Sequence, residues 1–215
     1  MRSDSKDLRS AMRLYAVTDS RWLKGERLAE RVAAAIEGGA TFVQLREKEA
    51  TPAERLALAG EIGALCRERG IPFVVDDDVE TALRAGADGV HVGQSDEGAA
   101  QARLRLGPDK ILGVSAQTVE QALEAERAGA DYLGVGAVFP TGSKEDADAV
   151  SLAELKKICA AVRIPVVAIG GIGLENLGQL KGSGIAGVAV ISALFARPDT
   201  ERAARTLRQA LEDVL

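Results

Sequence analysis

Eight short runs of apolar, largely β-branched residues recur along the chain, at 14–17, 41–45, 72–75, 89–92, 111–114, 132–135, 165–169 and 187–191. Most are apolar throughout rather than alternating, which is the pattern of parallel strands covered on both faces. Between them, apolar positions return every three or four residues, as in 52–69, 118–128 and 152–162, and this spacing predicts helices. The last such segment, 200–214, closes the series. Strand and helix thus alternate eight times, which requires a parallel sheet. Eight units closing on themselves predict an α/β fold of the (β/α)8 TIM-barrel type, with an open doubly wound sheet as the alternative.

A finer repeat supports the barrel. A glycine and a small or polar residue precede every even strand: Gly39-Ala40-Thr41, Gly86-Ala87-Asp88, Gly129-Ala130-Asp131 and Gly184-Ile185-Ala186. The glycine stops the preceding helix in a left-handed cap. Odd strands are entered differently, through Ile71-Pro72, Lys110-Ile111 and Ile164-Pro165. The repeat length is therefore two βα units. Residues 1–12 read as an N-terminal arm or short helix, and 13–215 as one catalytic barrel domain.

Composition narrows the function classes. The net charge of −5 argues against a sequence-blind nucleic-acid binder, which needs a basic face. There is no long apolar run for a signal peptide or membrane span, so a cytoplasmic protein is the expectation. The two cysteines, Cys66 and Cys159, lie in apolar helical surroundings and read as buried free thiols. With one histidine, His91, inside a strand, no Ser–His–acid set can be assembled, and the usual zinc ligands are lacking. His91 reads as a core or supporting residue.

In such barrels the chemistry sits at the C-terminal ends of the strands, and the opposite face serves stability. Asp88 and Asp131 precede their strands and read as turn residues at the stable face. Strand two runs out through Gln44-Leu45-Arg46-Glu47-Lys48. Period-two alternation puts Gln44, Arg46 and Lys48 on one face and Leu45 and Glu47 on the other. Two cations and an amide on one face suit an anionic ligand. Strand three ends in Asp76-Asp77-Asp78, and strand four leads to Gln94-Ser95-Asp96. An acidic cluster alone serves equally as a metal site or a solvated turn. The cationic neighbour favours the metal, and hard carboxylate oxygens favour Mg²⁺. Ser115 ends strand five facing the mouth, while Thr118 reads as a helix cap. The long connection after strand six carries Thr141, Ser143 and Lys144, and strands seven and eight end in Gly170-Gly171 and Ile191-Ser192. Glycines beside a helix N-terminus at this place let backbone N–H groups approach a phosphate.

Read in order, these pieces resemble the thiamine-phosphate synthase family. The matching motifs are Gln44 through Lys48, Asp77, His91 through Asp96, Gly113-Val114-Ser115, Gly136 through Lys144, Ala168 through Ile172, and Gly187 through Ala193. The resemblance runs from Leu14 to Phe195. It implies a transferase that joins a hydroxymethylpyrimidine diphosphate to a thiazole phosphate, releases pyrophosphate and forms thiamine phosphate. It implies phosphorylated small-molecule substrates, no nucleic-acid or membrane partner, and a homo-oligomer as an open option. It assigns the pyrimidine diphosphate to Gln44, Leu45, Arg46, Glu47, Lys48, Asp76, Ser115 and Lys144, with Ser115 and Lys144 nearest the chemistry. The thiazole phosphate falls to Thr141, Gly142, Ser143, Gly171, Ile191 and Ser192, and Mg²⁺ to Asp77 and Asp96. Three positions depart from the family pattern: Asp76 replaces a usual Asn, Gln117 a common His, and Ser143 a frequent Thr. An ionised Asp76 cannot donate to a diphosphate as the amide would. Gln117 argues against a thiazole tautomerase, a relative on the same barrel whose reaction resembles one needing that His. A non-catalytic thiamine-phosphate-binding barrel is the remaining alternative.

Overall fold

The computed structural model describes residues 5–23, 25–94, 98–142 and 149–215, the side chains of 5–7 excepted. A helix α1 (Ser5–Ala11) precedes β1 (Leu14–Val17). There follow α2 (Leu28–Glu37), β2 (Phe42–Leu45), α3 (Pro52–Arg69), β3 (Phe73–Asp76), α4 (Val79–Ala85), β4 (Gly89–Val92) and α5 (Ala99–Leu106). The second half runs β5 (Ile111–Ala116), α6 (Val119–Arg127), β6 (Tyr132–Val135), α7 (Leu152–Ala161), β7 (Val166–Ile169), β8 (Gly187–Val190), α8 (Ser192–Phe195) and α9 (Thr200–Ala210). All strands pair in parallel with their sequence neighbours, and β1 pairs with β8, closing the barrel.

The expected alternation departs from observation in the seventh unit. Between β7 and β8 the chain forms only a 3-10 turn, Leu177–Leu180. Gly173, Gly178, Gly182 and Gly184 crowd this stretch, and each glycine costs an α-helix about 1 kcal/mol against alanine. The eighth unit carries two helices instead, the short α8 and then α9, which ends in a 3-10 turn rather than continuing to 214.

Strand residues sort strictly by parity. Leu14, Ala16, Val43, Leu45, Phe73, Val75, Leu112 and Val114 pack outward against the helices. Tyr15, Val17, Phe42, Val74, Tyr132, Val167 and Ala189 fill the barrel interior, which Leu8 and Met12 of the N-terminal segment close from below. Tyr15, Phe42 and Tyr132 meet there with ring centroids 4.5 to 6.0 Å apart. The helices start where side chains supply N-caps. Thr51 and Glu54 form a capping box before α3, Thr118 caps α6 and Ser151 caps α7.

At the N-terminal mouth, the residues read as turn formers are fully engaged. Asp88 accepts the Phe73 N–H at 2.8 Å, and Asp131 accepts the Leu112 N–H at 2.8 Å while pairing with Arg103 at 2.5 Å. Thr41 accepts the Leu14 N–H at 3.0 Å. Each side chain satisfies the first backbone donor of the preceding strand, which explains the two-unit repeat. Gly39, Gly86, Gly129 and Gly184 all take the positive φ that the repeat demands. Cys66 is buried and Cys159 half-buried, both free; burial pushes their thiols up to about 12 and about 11. No helix among the described residues is long and apolar enough to cross a membrane.

Candidate active site

The alternation that fills the lower barrel with aromatic rings places polar groups in its upper layer. Gln44, Asp76, His91 and Ser115 continue the inward-facing rows of Phe42, Val74, Gly89 and Gly113 by one period of two. Above them lies a cavity of about 280 Å³.

Its cationic wall comes from the end of β2. Gln44, Arg46 and Lys48 line the cavity, as the alternation predicts. Leu45 packs into the outer core, and Glu47 turns away. The Glu47 carboxylate accepts the Thr18 hydroxyl at 2.7 Å and the Ser20 N–H at 3.2 Å, while Thr18 Oγ1 accepts the Arg46 N–H at 2.9 Å. Leu45 and Glu47, assigned to the diphosphate with the rest of their motif, are therefore corrected: their side chains belong to the packing that holds the strand end. Strand parity is the reason, since odd positions here face away from the barrel axis.

Arg46 lies between two carboxylates, with Asp19 Oδ2 at 3.7 Å and Asp76 Oδ2 at 3.6 Å. Asp19 also pairs with Arg21 at 2.7 Å. Asp19 sits in the connection after β1 and escaped the sequence reading, because it falls in no recognisable motif. Asp76 in the place of an amide thus has a local consequence, an ionic contact with Arg46.

The three carboxylates ending β3 divide their tasks. Asp76 and Asp77 line the cavity. Asp77 holds a left-handed φ of 59°, a conformation that Asp tolerates better than most residues. Asp78 caps α4: it accepts the Thr81 N–H at 2.8 Å and the Thr81 hydroxyl at 2.7 Å, and pairs with Arg55 at 3.1 Å. Burial raises the Asp78 pKa, but these hydrogen bonds and the guanidinium outweigh it and hold the carboxyl below its ordinary range. Among the described residues no three His, Cys, Asp or Glu side chains gather in a group that could hold a metal ion. Asp77 is a hard oxygen donor beside Lys48, so the donor set fits Mg²⁺ completing its shell on substrate phosphates rather than in a protein cage. Asp96, its expected companion, lies outside the described residues, as do Ser143 and Lys144.

The opposite wall is nearly free of charge. Ser115 and Gln117 line it, Gln94 Nε2 donates to the Ser115 carbonyl at 2.6 Å, and Gln117 N–H donates to Gln121 Oε1 at 2.8 Å. Thr141, Gly170, Gly171, Ile191 and Ser192 line the third side. Gly142 does not reach the cavity and is exposed. It is the spacer between two assigned hydroxyl residues, and its assignment is corrected for the same reason as Leu45. Gly171 takes φ 61°, and a Cβ there would meet the Pro140 carbonyl oxygen at 2.3 Å. The connection after β6 therefore packs directly on the Gly170-Gly171 backbone. Phe139 N–H donates to the Gly170 carbonyl at 3.1 Å, and Asn176 Nδ2 donates to the Gly171 carbonyl at 2.8 Å. Ser192 opens α8, whose first-turn N–H groups point out of its start.

Beneath Ser115 runs a buried polar chain. Ser115 Oγ lies 3.0 Å from His91 Nε2, His91 Nδ1 lies 3.0 Å from the Tyr132 hydroxyl, and that hydroxyl lies 2.7 Å from the Tyr15 hydroxyl. His91 is thus a supporting residue, as its place in a strand suggested. Burial raises the pKa of both phenols well above the ordinary value, and the negative charge of Asp76 adds to this.

Comparison with known proteins follows the same lines. A family model described as thiamine monophosphate synthase matches residues 14–194. The thiamine-phosphate synthase of Ruminiclostridium cellulolyticum is 50% identical over 194 residues, covering 90% of this chain and 92% of that one. That of Clostridium tetani is 48% identical over 194 residues, covering 90% and 93%. A solved structure of thiamine phosphate pyrophosphorylase from Pyrococcus furiosus superposes with a TM-score of 0.89 at 44% identity, covering 97% and 99%. Matched along nearly its whole barrel, with a cationic wall, an aspartate pair and a glycine-lined phosphate side around one cavity, the chain belongs to the thiamine monophosphate synthase family of transferases.

Proposed function

We propose that the chain joins a hydroxymethylpyrimidine diphosphate to a thiazole phosphate, with pyrophosphate as the leaving group and thiamine phosphate as the product. One observation carries this reading: Gln44, Arg46, Lys48, Asp77 and Ser115 share a single cavity with Thr141, Gly171, Ile191 and Ser192. A diphosphate needs the first set, and a phosphomonoester the second. With both in one cavity, the two substrates react without leaving it, and holding two reactants together supplies much of the rate.

The bond between the pyrimidine methylene carbon and the diphosphate oxygen breaks, and the electron pair leaves with pyrophosphate. The thiazole nitrogen then donates its lone pair to that carbon. No protein nucleophile and no net proton transfer are required. Arg46, Lys48 and Lys144 stabilise the charge that develops on the leaving group, where preorganised donors act most strongly. Mg²⁺, held by Asp77 and Asp96, supplies further neutralisation of the diphosphate. Ser115 hydrogen-bonds the pyrimidine ring. Thr141 and Ser143, with the backbone at Gly171, Ile191 and Ser192, hold the thiazole phosphate.

The test is direct. Purified chain given both phosphorylated precursors and Mg²⁺ forms thiamine phosphate and pyrophosphate, and neither precursor alone suffices. Excess EDTA abolishes the product, and Asp96→Ala lowers turnover by about 100-fold or more with the fold retained. Absence of product with both precursors and Mg²⁺ present would leave a binding protein. Full activity in EDTA would remove the metal from the reaction.

A further inference from the structure

The buried chain of Tyr15, Tyr132, His91 and Ser115 contains three hydroxyl hydrogens and, on a neutral ring, one imidazole hydrogen. Three hydrogen bonds consume three of these four. One hydrogen is left over, and it must lie at an end of the chain. If every bond points toward Ser115, His91 carries its hydrogen on Nε2, and the spare hydrogen is that of Ser115, directed into the cavity. If every bond points the other way, His91 carries it on Nδ1, and the spare hydrogen belongs to Tyr15.

The two ends differ in surroundings. Tyr15 is 2% exposed, and among the described residues its hydroxyl bonds only Tyr132. Ser115 is half-buried on the cavity wall, where water or ligand can accept from it. A buried donor without an acceptor is costly, so the spare hydrogen belongs at Ser115. The barrel is built around this chain. A Cβ on Gly113 would come within 2.3 Å of the Tyr132 hydroxyl oxygen and 2.5 Å of His91 Nδ1, and a Cβ on Gly134 would meet His91 Cε1 at 3.1 Å. Two strand glycines leave the slot that the imidazole and the phenol occupy.

We propose that Tyr132, biased by Tyr15, is a positioning residue that fixes the tautomer of His91 and so makes Ser115 a hydrogen-bond donor toward the substrate. The site then demands an acceptor, such as an unprotonated ring nitrogen, at the substrate atom facing Ser115. This role rests on the proposed reaction insofar as Ser115 faces the pyrimidine; the tautomer itself can be read without substrate.

His91 is the sole histidine of the chain, so its ring signals in a ¹H–¹⁵N long-range correlation spectrum are unambiguous. The ligand-free protein at pH 8 is expected to show the Nε2–H tautomer. The Nδ1–H form, or a ring protonated on both nitrogens, overturns the proposal without any variant. Tyr132→Phe is expected to mix the tautomers and to lower kcat about tenfold, with KM for both precursors held within about threefold. In a Ser115→Ala background the same change should have little further effect, because it acts through Ser115. Equal kcat losses in both backgrounds would reduce Tyr132 to a packing residue. Wild-type protein that shows the expected tautomer but forms no product would sink the proposed reaction and leave the relay standing.

Discussion

The two mouths of the barrel use aspartate in opposite ways. At the N-terminal mouth, Asp88 and Asp131 bind the first backbone donors of β3 and of β5, within a residue of each strand's start. At the C-terminal mouth, Asp76 and Asp77 line a cavity beside Arg46 and Lys48. The residue type is the same, and the strand that carries it is equally regular. What differs is whether the side chain enters a strand or leaves one. A side chain before a strand meets unpaired N–H groups of its neighbour, whereas one after a strand meets the converging ends of the others. The lesson is that carboxylates in this fold are sorted by position in the βα unit before their chemistry is decided.

Three substitutions test that sorting. The largest effect is expected from Asp77→Ala. Turnover should fall by about 100-fold or more, equivalent to about 2.7 kcal/mol of lost transition-state stabilisation, with an unchanged thermal midpoint. A midpoint lowered as much as the activity would place Asp77 with the structural aspartates. Asp131→Ala should do the reverse. It orphans the Leu112 N–H and the Arg103 guanidinium, and urea denaturation should report a loss of about 2 kcal/mol. Activity per folded molecule should stay near that of the parent chain. The smallest effect, Thr51→Ala, sharpens the comparison, because Thr51 follows β2 at the catalytic mouth yet spends its hydroxyl on capping α3. It should cost about 1 kcal/mol of stability and no activity. Lost activity there would mean that the face, rather than the bond a side chain makes, sets its role.

Much of this was legible in the chain. The strands begin and end within two residues of the apolar runs, because a strand buried on both faces writes itself as a continuous apolar block. The parity of Gln44, Arg46 and Lys48 was legible too, since alternation is local. The seventh unit was not, because an apolar spacing over 172–180 resembles a helix until the cost of its glycines is counted. The polar chain under Ser115 escaped altogether. Tyr15 and Tyr132 are separated by 117 residues, and each reads alone as a core aromatic in a strand. Only the closure of the sheet brings their hydroxyls together. Asp19 escaped for the same reason, its partner Arg46 lying on the next strand.

The pairing of β1 with β8 has a consequence for how the molecule is made. Until Gly187–Val190 has left the ribosome, both β1 and β7 present bare edges, each able to recruit a foreign strand. Most of the polypeptide must therefore be synthesised before the sheet can seal itself. Chains arrested a few dozen residues short of completion should be the species that chaperones hold and that aggregates collect.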